Sequence, residues 1–276
     1  MKRLIILSVA IIFLLSGCGQ TTRTVSVSAE PESVGEEGLA TSSQENKPAT
    51  QEVEEAETSK IEESEEPLDA TINEESKTVE VPAKLELPVL FAQQAPFANW
   101  DEVHEETCEE ASMIMAARYF KNQPLTEAIM EEELQKILKW QEERGYKVDA
   151  TAEETVRMLI EYFGLEASIT KEVTADKIKY ELSQGNLIIV PAAGRELKNP
   201  NFKQPGPIYH MLVIKGYNDS EFITNDPGTR KGNGYRYPYE TLLGAIHDWS
   251  HELAEDGMSD AEMAQQPKVL IIVEKP

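Results

Sequence analysis

The chain has 276 residues, and its 26 lysine and arginine side chains stand against 50 aspartates and glutamates, a formal net charge of -24. Nucleic-acid binding needs a basic face that displaces counterions from phosphates, so the charge argues against a nucleic-acid partner. Residues 19–90 hold 18 acidic and 5 basic side chains, and no aromatic residue lies between Phe13 and Phe91. Such a stretch buries too little apolar surface to offset its ordering entropy, and residues 18–86 are predicted to form a disordered acidic linker. Residues 87–276 remain, which is the size of one domain.

The amino terminus has the pattern of a bacterial export signal. Lys2 and Arg3 precede an apolar run over 4–15, which is shorter than the roughly 20 residues of a bilayer span. Small residues then lead to Cys18, and this pattern resembles the lipobox of bacterial lipoproteins. The resemblance implies that residues 1–17 are removed and that lipid on Cys18 anchors the protein. The anchor would lie on the extracytoplasmic side of the cell membrane or in the outer membrane. A plain secretory signal with an incidental cysteine is the alternative.

Four helices are predicted in the first half of the folded part. An extended segment at 87–91 and a polar, aromatic loop at 93–106 precede them. Capping residues, terminal glycines and apolar residues at helical spacing indicate each helix. The first begins after Thr107, and the others cover 124–144, Thr151 to Gly164, and 175–184. The third is predicted to start with a capping box formed by Thr151 and Glu154.

Strands are predicted after residue 185, where the pattern changes to short apolar runs between turn residues. They cover 187–190, 209–217, 221–224 and 269–273, with a helix over 239–252 before the last strand. A loop with three prolines, 194–207, precedes the second strand. Helices followed by antiparallel strands favour an α+β fold over a doubly wound sheet.

Cys108 is the one thiol left once Cys18 is assigned to the lipid, so no internal disulfide is expected. It lies in the first turn of a helix that Thr107 and Glu110 are predicted to cap with a capping box. The helix dipole and free N–H groups there favour thiolate, whereas Glu109 and Glu110 oppose it. A cationic partner is therefore needed to activate the thiol. A buried structural cysteine is the alternative for this residue taken alone.

A histidine and an aspartate supply such a partner. His210 lies near the start of an apolar strand, just after a loop, and Asp226 follows sixteen residues later at the end of the next predicted strand. Antiparallel pairing can bring the two together, so that the carboxylate fixes the tautomer and orientation of the ring. A core histidine and a turn aspartate are the alternatives. The ordered set of Cys108, His210 and Asp226 predicts cysteine-type nucleophilic catalysis.

Motifs around these residues resemble a known family. They are Gln94 to Phe97 with Trp100, Cys108 to Ser112, His210 with Val213, Gly216 and Tyr217, and Asn225 to Pro227. The motifs are similar to those of papain-like cysteine peptidases related to the bacteriocin-processing, double-glycine-leader peptidases, over roughly 87–250. The resemblance implies a papain-like fold with Cys108 as nucleophile, His210 as general base and acid, and Asp226 orienting the imidazole.

The resemblance also implies an oxyanion hole in which Gln94 supplements the backbone N–H of Cys108. Two features depart from the family pattern. Glu109 stands where many relatives have glycine, and it could narrow the cleft or select a basic substrate. The segment from Gln94 to Cys108 is longer than usual, and Asn99 or His104 could occupy the glutamine's position instead.

The expected function is that of a lipid-anchored extracytoplasmic cysteine peptidase or amidase. It would hydrolyse a peptide or isopeptide bond, for example in a peptidoglycan peptide, through a thioester on Cys108. The acidic residues around Cys108 favour basic or neutral substrate segments. The alternative is a catalytically inactive papain-like module that binds peptides or cell-wall fragments. The protein is expected to be a monomer.

Metal binding is a further alternative, based on two histidines near the carboxyl terminus. His247 and His251 are four residues apart on a predicted helix, a spacing that can hold zinc. No third ligand is evident in the sequence, and Asp248 lies off that helix face. We therefore expect no metal and no cofactor.

Overall fold

The computed structural model describes residues 80–276 of the chain. The predicted signal peptide, the predicted lipidation site Cys18 and residues 18–79 of the predicted linker lie outside the described residues. Within 80–276, none of the helices combines the length and the apolar character needed to cross a membrane.

The helices of the described part lie mostly before the main strands. They are α1 (Cys108–Phe120), α2 (Glu127–Glu142), α3 (Ala152–Glu161), α4 (Ala175–Ser183), α5 (Tyr239–Ala245), α6 (His251–Glu255) and α7 (Asp260–Met263). Short 3-10 helices cover His104–Glu106 and Gly194–Leu197. The residues of α1 from Cys108 to Ala117 are all buried, so α1 is the central helix of the core.

One sheet contains all the strands of the described part. They are β1 (Leu85–Glu86), β2 (Ala167–Thr170), β3 (Leu187–Ala193), β4 (Tyr209–Tyr217), β5 (Glu221–Asn225), β6 (Asn233–Pro238) and β7 (Leu270–Val273). The order is β2-β7-β3-β4-β5-β6, with β1 paired to the end of β4. Every pair is antiparallel. Helices followed by an antiparallel sheet confirm the predicted α+β class.

β4 is a central, fully buried strand of the sheet. All nine of its residues are buried, with β3 on one side and β5 on the other. Burial on both faces explains the unbroken apolar run from Met211 to Ile214 inside this strand. α1 packs against β4, and the hydroxyl of Ser112 donates to the carbonyl of Met211 at 3.2 Å. The amino end of α1 therefore lies beside the amino end of β4.

The predicted start of α3 is confirmed. The backbone N–H of Glu154 donates to Thr151 Oγ1 at 3.2 Å, and the N–H of Thr151 donates to Glu154 Oε2 at 2.9 Å. The reciprocal pair satisfies two amide groups that have no acceptor inside the helix.

The capping box predicted for α1 is wrong. Thr107 makes no capping bond with its side chain, and its hydroxyl instead faces the carbonyls of Gln94 and His104. Glu110 is fully buried and accepts from the amide of Gln141 at 2.6 Å. Tertiary contacts thus take both side chains away from the cap, a competition that the local pattern does not contain.

Two predicted elements and two unpredicted strands also distinguish the structure from the sequence prediction. The helix predicted over 239–252 is broken after Ala245, because Ile246 is extended and pairs with Ala192 of β3. The strand at the amino end of the domain is β1, which covers residues 85–86 and ends directly before the predicted segment at 87–91. Strands β2 and β6 have no counterpart in the sequence prediction, since neither shows a long apolar run.

Candidate active site

The sulfur of Cys108 lies against the backbone of β4. The N–H of Met211 donates to Cys108 Sγ at 3.2 Å, and the carbonyl of Met211 accepts from Ser112. Pairing between β4 and β5 reaches only as far as Val213 and Asn225. Met211 is beyond that pairing, and two side chains one turn apart on α1 satisfy its backbone groups instead. The first turn of α1 is thereby held against the amino end of β4, beyond the pairing of β4 with β5.

His210 and Asp226 form the hydrogen-bonded pair that the sequence predicts. His210 Nε2 lies 2.8 Å from Asp226 Oδ1, and both side chains are buried. The other carboxylate oxygen accepts from Tyr237 at 2.5 Å and from Asn199 at 3.0 Å, while the N–H of Gly228 donates to Oδ1. Burial opposes ionisation, but the charge and hydrogen bond of His210 outweigh it and lower the pKa of Asp226.

Two residues of this pair's surroundings have no signal in the sequence. Asn199 comes from the proline-containing loop before β4, and its amide bridges Asp226 to the hydroxyl of Tyr237 at 2.8 Å. Tyr237 belongs to β6, the strand that the sequence pattern does not predict. Both orient Asp226, and a single sequence contains nothing that links their positions to it.

The imidazole of His210 is closely packed on its remaining sides. The ring of Phe202 meets it edge to face with centroids 5.2 Å apart. At Gly228 an added Cβ would lie 2.8 Å from His210 Cε1. Because Nε2 is held by Asp226, Nδ1 is the ring nitrogen left for proton transfer.

The Cys108 thiol donates to a carboxylate. Cys108 Sγ lies 3.0 Å from Glu109 Oε2, and within residues 80–276 no hydrogen bond joins the sulfur to His210. Burial, and after it the charge and hydrogen bond of Glu109, raises the pKa of the Cys108 thiol well above its usual range. The sequence predicts that the helix dipole lowers the pKa of this thiol. Desolvation and the neighbouring carboxylate raise the pKa by more than the dipole lowers it, so the thiol form is favoured.

Three carboxyl groups without ion pairs in the described part lie near the thiol. Burial first, and then the charges of Glu110 and Asp149, raises the pKa of Glu109 well above its usual range. Burial also raises the pKa of Glu110 to about 7 and that of Asp149 to about 6. Glu109 Oε1 accepts from the N–H of Ala150 at 2.9 Å, which joins α1 to the segment before α3.

Gln94, the predicted oxyanion-hole residue, lines the same cleft as Cys108. Its amide Nε2 donates to the carbonyls of His104 and Glu105, each at 2.9 Å, and its Oε1 is buried without a partner. The backbone N–H of Gln94 donates to Pro227, so the residue is fastened to the loop after Asp226. In this arrangement both amide hydrogens are engaged by the 3-10 helix, and none is directed to an oxyanion.

Asn99 and His104, the two alternative oxyanion-hole residues, lie outside the cleft. Neither Asn99 nor His104 lines the cleft, and Asn99 Nδ2 lies 3.0 Å from His104 Nε2. His104 also contacts Asp101 at 2.7 Å and Glu131 at 2.9 Å. Burial opposes protonation of His104, but these two carboxylates outweigh it and raise its pKa. The histidine therefore fastens the loop before α1.

The cleft has a volume of about 1000 Å³, and Cys108 and His210 both line it. Its walls combine acidic, basic and aromatic side chains. The acidic residues are Glu105, Glu106 and Asp149, the basic residues are Lys203, Arg230 and Lys231, and the larger aromatic residues are Trp100, Phe202, Tyr209 and Trp249. Lys203 Nζ lies 3.2 Å from Glu105 Oε1, which joins the loop before β4 to the 3-10 helix before α1.

The zinc alternative depended on a helix that is not formed. His247 follows the end of α5 and its Nδ1 lies 2.6 Å from the carbonyl of Gln266. His251 begins α6 and contacts Glu154 at 2.7 Å. Over residues 80–276, no group of three or more metal-ligating side chains is present.

Comparison with known proteins identifies the family. Residues 87–251 match the model described as the Peptidase_C39 like family. The chain belongs to the Peptidase_C39-like family. The matched residues include Cys108, His210 and Asp226, so the paired imidazole and the buried thiol both lie inside the family domain.

Other comparisons are more distant. A crystal structure from Bacillus anthracis, provisionally described as a C39-like peptidase, is similar with a TM-score of 0.45 and 14% sequence identity. The similarity covers 70% of this chain and 98% of that chain. A search of curated proteins finds no significant match. The closer relation of this C39-like chain to bacteriocin-processing peptidases stays a prediction.

Proposed function

We propose that the protein is a lipid-anchored, extracytoplasmic cysteine peptidase or amidase that hydrolyses a peptide or isopeptide bond. The observation that carries the proposal is the shared cleft. Cys108 and His210 both line it, and Asp226 holds the far side of the imidazole at 2.8 Å. Membership of a peptidase family supports the same reaction.

The chemistry begins when Cys108 Sγ turns from Glu109 towards His210. The thiol proton passes to Nδ1, and the sulfur attacks the carbonyl carbon of the substrate. The imidazolium then protonates the leaving nitrogen, the C–N bond breaks, and an acyl-thioester remains on Cys108. Water loses a proton to the neutral imidazole, attacks the thioester, and releases the acid and the thiol.

Asp226 and α1 have separate parts in this sequence. Asp226 keeps the proton of His210 on Nε2, stabilises the imidazolium and is itself held by Tyr237 and Asn199. The backbone N–H of Cys108 opens α1, where amide groups have no acceptor inside the helix, and it would donate to the oxyanion. Gln94 would join it only after its amide leaves the carbonyls of His104 and Glu105.

The substrate we propose is a peptide, or a peptidoglycan peptide, with a basic or neutral segment near the cut bond. Glu106 and Asp149 line the cleft, and neither has an ion-pair partner among residues 80–276. An ammonium or guanidinium group of the substrate would supply that partner. Arg230 and Lys231 also line the cleft and would accept a carboxylate elsewhere in the same substrate.

The anchor and location are proposed from the amino-terminal pattern. The apolar run over 4–15 and the small residues before Cys18 support export and lipidation. Membrane fractionation of cells tests this proposal. The unsubstituted protein is expected in the membrane fraction as a cleaved, lipid-modified chain, and Cys18→Ser is expected to lack the lipid and to keep its uncleaved leader, as mass spectrometry would show.

The reaction is tested by incubating the full-length protein with peptides and peptidoglycan stem peptides. Cys108→Ala should abolish cleavage, and His210→Ala should slow it by roughly 100-fold to 10,000-fold, the range for loss of a general acid and base. Acid-quenched samples should contain an acyl adduct on the Cys108 peptide by mass spectrometry. Ser112→Ala, one turn along α1 from Cys108, is the control for a change that weakens the contact with Met211 but keeps the thiol. Equal cleavage by Cys108→Ala would refute the proposal.

A non-catalytic binding module is the second candidate, and one observation favours it. The thiol is bonded to Glu109 and not to His210, with burial and that carboxylate raising its pKa. Such a module would bind the same peptides without cutting them. Binding measured by calorimetry, with no acyl adduct and no effect of Cys108→Ala on the biological phenotype, would decide for this candidate.

A further inference from the structure

We propose that Glu109 is a positioning residue that holds the Cys108 thiol away from His210 in the resting protein. The inference deepens the proposed function, because it describes how the same nucleophile is kept latent. Glu109 occupies the position after the cysteine, where a helix side chain ordinarily faces away from its neighbour. Here its carboxylate folds back onto the sulfur at 3.0 Å.

The position of Glu109 is set by contacts on both carboxylate oxygens. Oε2 accepts from the Cys108 thiol, and Oε1 accepts from the N–H of Ala150 at 2.9 Å. The side chain is fully buried, so water does not compete for either oxygen. The hydroxyl of Tyr209 donates to the carbonyl of Ala150 at 2.8 Å. This bond fixes the position of Ala150, whose N–H donates to Glu109.

The sulfur is fixed from the other side as well. It accepts from the N–H of Met211 at 3.2 Å while it donates to Glu109. These two bonds define one orientation of the side chain. The thiol must leave Glu109 before it can give its proton to His210, so the resting arrangement delays the first chemical step.

No cation in the described part forms an ion pair with Glu109. The groups near it are Cys108 and Glu110 on α1, Asp149 before α3, and Tyr209 on β4. All four are acids, and all four are negative when ionised. By its ordinary pKa a carboxyl group is a stronger acid than a thiol, and once Glu109 is ionised a thiolate would face a carboxylate at hydrogen-bond distance. The thiol therefore keeps its proton while it remains beside Glu109.

The decisive variant is Glu109→Gln in the full-length protein with Cys18→Ser, where Cys108 is the single cysteine. Glutamine keeps the size of the side chain and an acceptor for Ala150, but it removes the charge beside the sulfur. Alkylation of Cys108 by iodoacetamide is followed over a pH series. At neutral and alkaline pH the alkylation of Glu109→Gln should be about tenfold faster or more, because loss of the carboxyl group beside the sulfur lowers the thiol pKa.

The matched control is Glu110→Gln in the same background. Glu110 is the next residue, is equally buried, and bonds to Gln141 instead of the sulfur. Its substitution should change the alkylation rate at neutral pH by less than about threefold, because the lost charge is not in contact with the thiol. An unchanged profile for Glu109→Gln, or an equal acceleration by Glu110→Gln, would overturn the proposal.

An infrared measurement needs no change at Glu109. In the Cys18→Ser protein at neutral pH, the S–H stretching band of Cys108 should be present and shifted to lower frequency than in a cysteine peptide, because the thiol donates to a carboxylate. Absence of the band would mean a resting thiolate and would refute the proposal even if Glu109→Gln fails to fold. Neither measurement uses a substrate, so failure of the proposed hydrolysis leaves both readouts intact.

Discussion

At Gly228 the imidazole of His210 leaves no room for a side chain. An added Cβ would lie 2.8 Å from His210 Cε1 and 3.0 Å from the ring of Phe202. The N–H of the same glycine donates to Asp226 Oδ1 at 3.0 Å. Gly228 thus supports the histidine and aspartate through its backbone and through the absence of a side chain.

Gly228→Ala is expected to displace His210 from Asp226. A displacement of about 1 Å costs on the order of 100-fold in catalytic rate when geometry is critical. The downfield proton resonance of the His210 Nε2–H hydrogen bond should shift or disappear in the variant. Gly244→Ala is the control, since an added Cβ there meets no atom within 4 Å. An unchanged resonance and full activity in Gly228→Ala would contradict the expectation.

Residue chemistry was partly predictable from the sequence. The order of Cys108, His210 and Asp226 predicted the three side chains of the site, and Asp226, just past the paired end of β5, contacts His210. The orientation of the thiol was not predictable, because it depends on Met211 and Glu109. Helix and strand patterns specify which residues share a face, but they contain no information on the rotamer that a buried side chain adopts.

Among the elements of the fold, β1 can pair with β4 because β4 has a glycine at the contact. β1 pairs with the last two residues of β4, and an added Cβ at Gly216 would lie 2.4 Å from the carbonyl oxygen of Leu85. The N–H of Leu87 donates to Lys215 at 2.8 Å just beyond this contact. The close approach of two backbones is the physical reason for glycine at this position.

Gly216→Ala should push β1 away from β4. The cost is expected to be about 1 to 3 kcal/mol in the free energy of unfolding, as for other overpacked sites. Denaturant unfolding measures that cost, and hydrogen exchange should show faster exchange of the Leu87 amide. Gly244→Ala again serves as the control for a glycine with open space around it. Unchanged stability together with a protected Leu87 amide would show that β1 adapts without leaving.

The predicted elements succeeded where the sequence pattern was strong. The capping box of α3 and the full extent of β4 are present as predicted. The strands β2 and β6 were missed because their residues are only partly buried and lack an apolar run. The helix over 239–252 was broken by a backbone contact between Ile246 and Ala192, which are far apart in sequence.

For the whole molecule, buried carboxyl groups make stability depend on pH. Burial raises the pKa of Glu110 from 4.5 to about 7, so the folded state holds a proton that the unfolded state loses first. Stability contributed by this group is fully present below the unfolded value of 4.5 and is lost as pH rises through about 7. The direction is opposite to that of a carboxylate held in an ion pair.

Glu110→Gln is expected to stabilise the protein at pH 8 and to have little effect at pH 4.5. Full burial and the size of the pKa shift set an upper bound of about 3 kcal/mol on the gain. Thermal unfolding at the two pH values measures the difference. The exposed Glu142→Gln is the control for the change in net charge. A larger gain in stability at pH 4.5 than at pH 8 would show that ionisation of the buried Glu110 is not the cause.

The sequence by itself determined the α+β class, the central apolar strand and the three residues that carry the expected chemistry. These features follow from local periodicity and residue type, which can be read from a single sequence. Only the tertiary structure decided that Tyr237 and Asn199 hold Asp226, that the Gln94 amide is engaged by backbone carbonyls, and that the thiol faces Glu109. Those contacts join segments distant along the chain, and burial sets their strength, so no local pattern contains them.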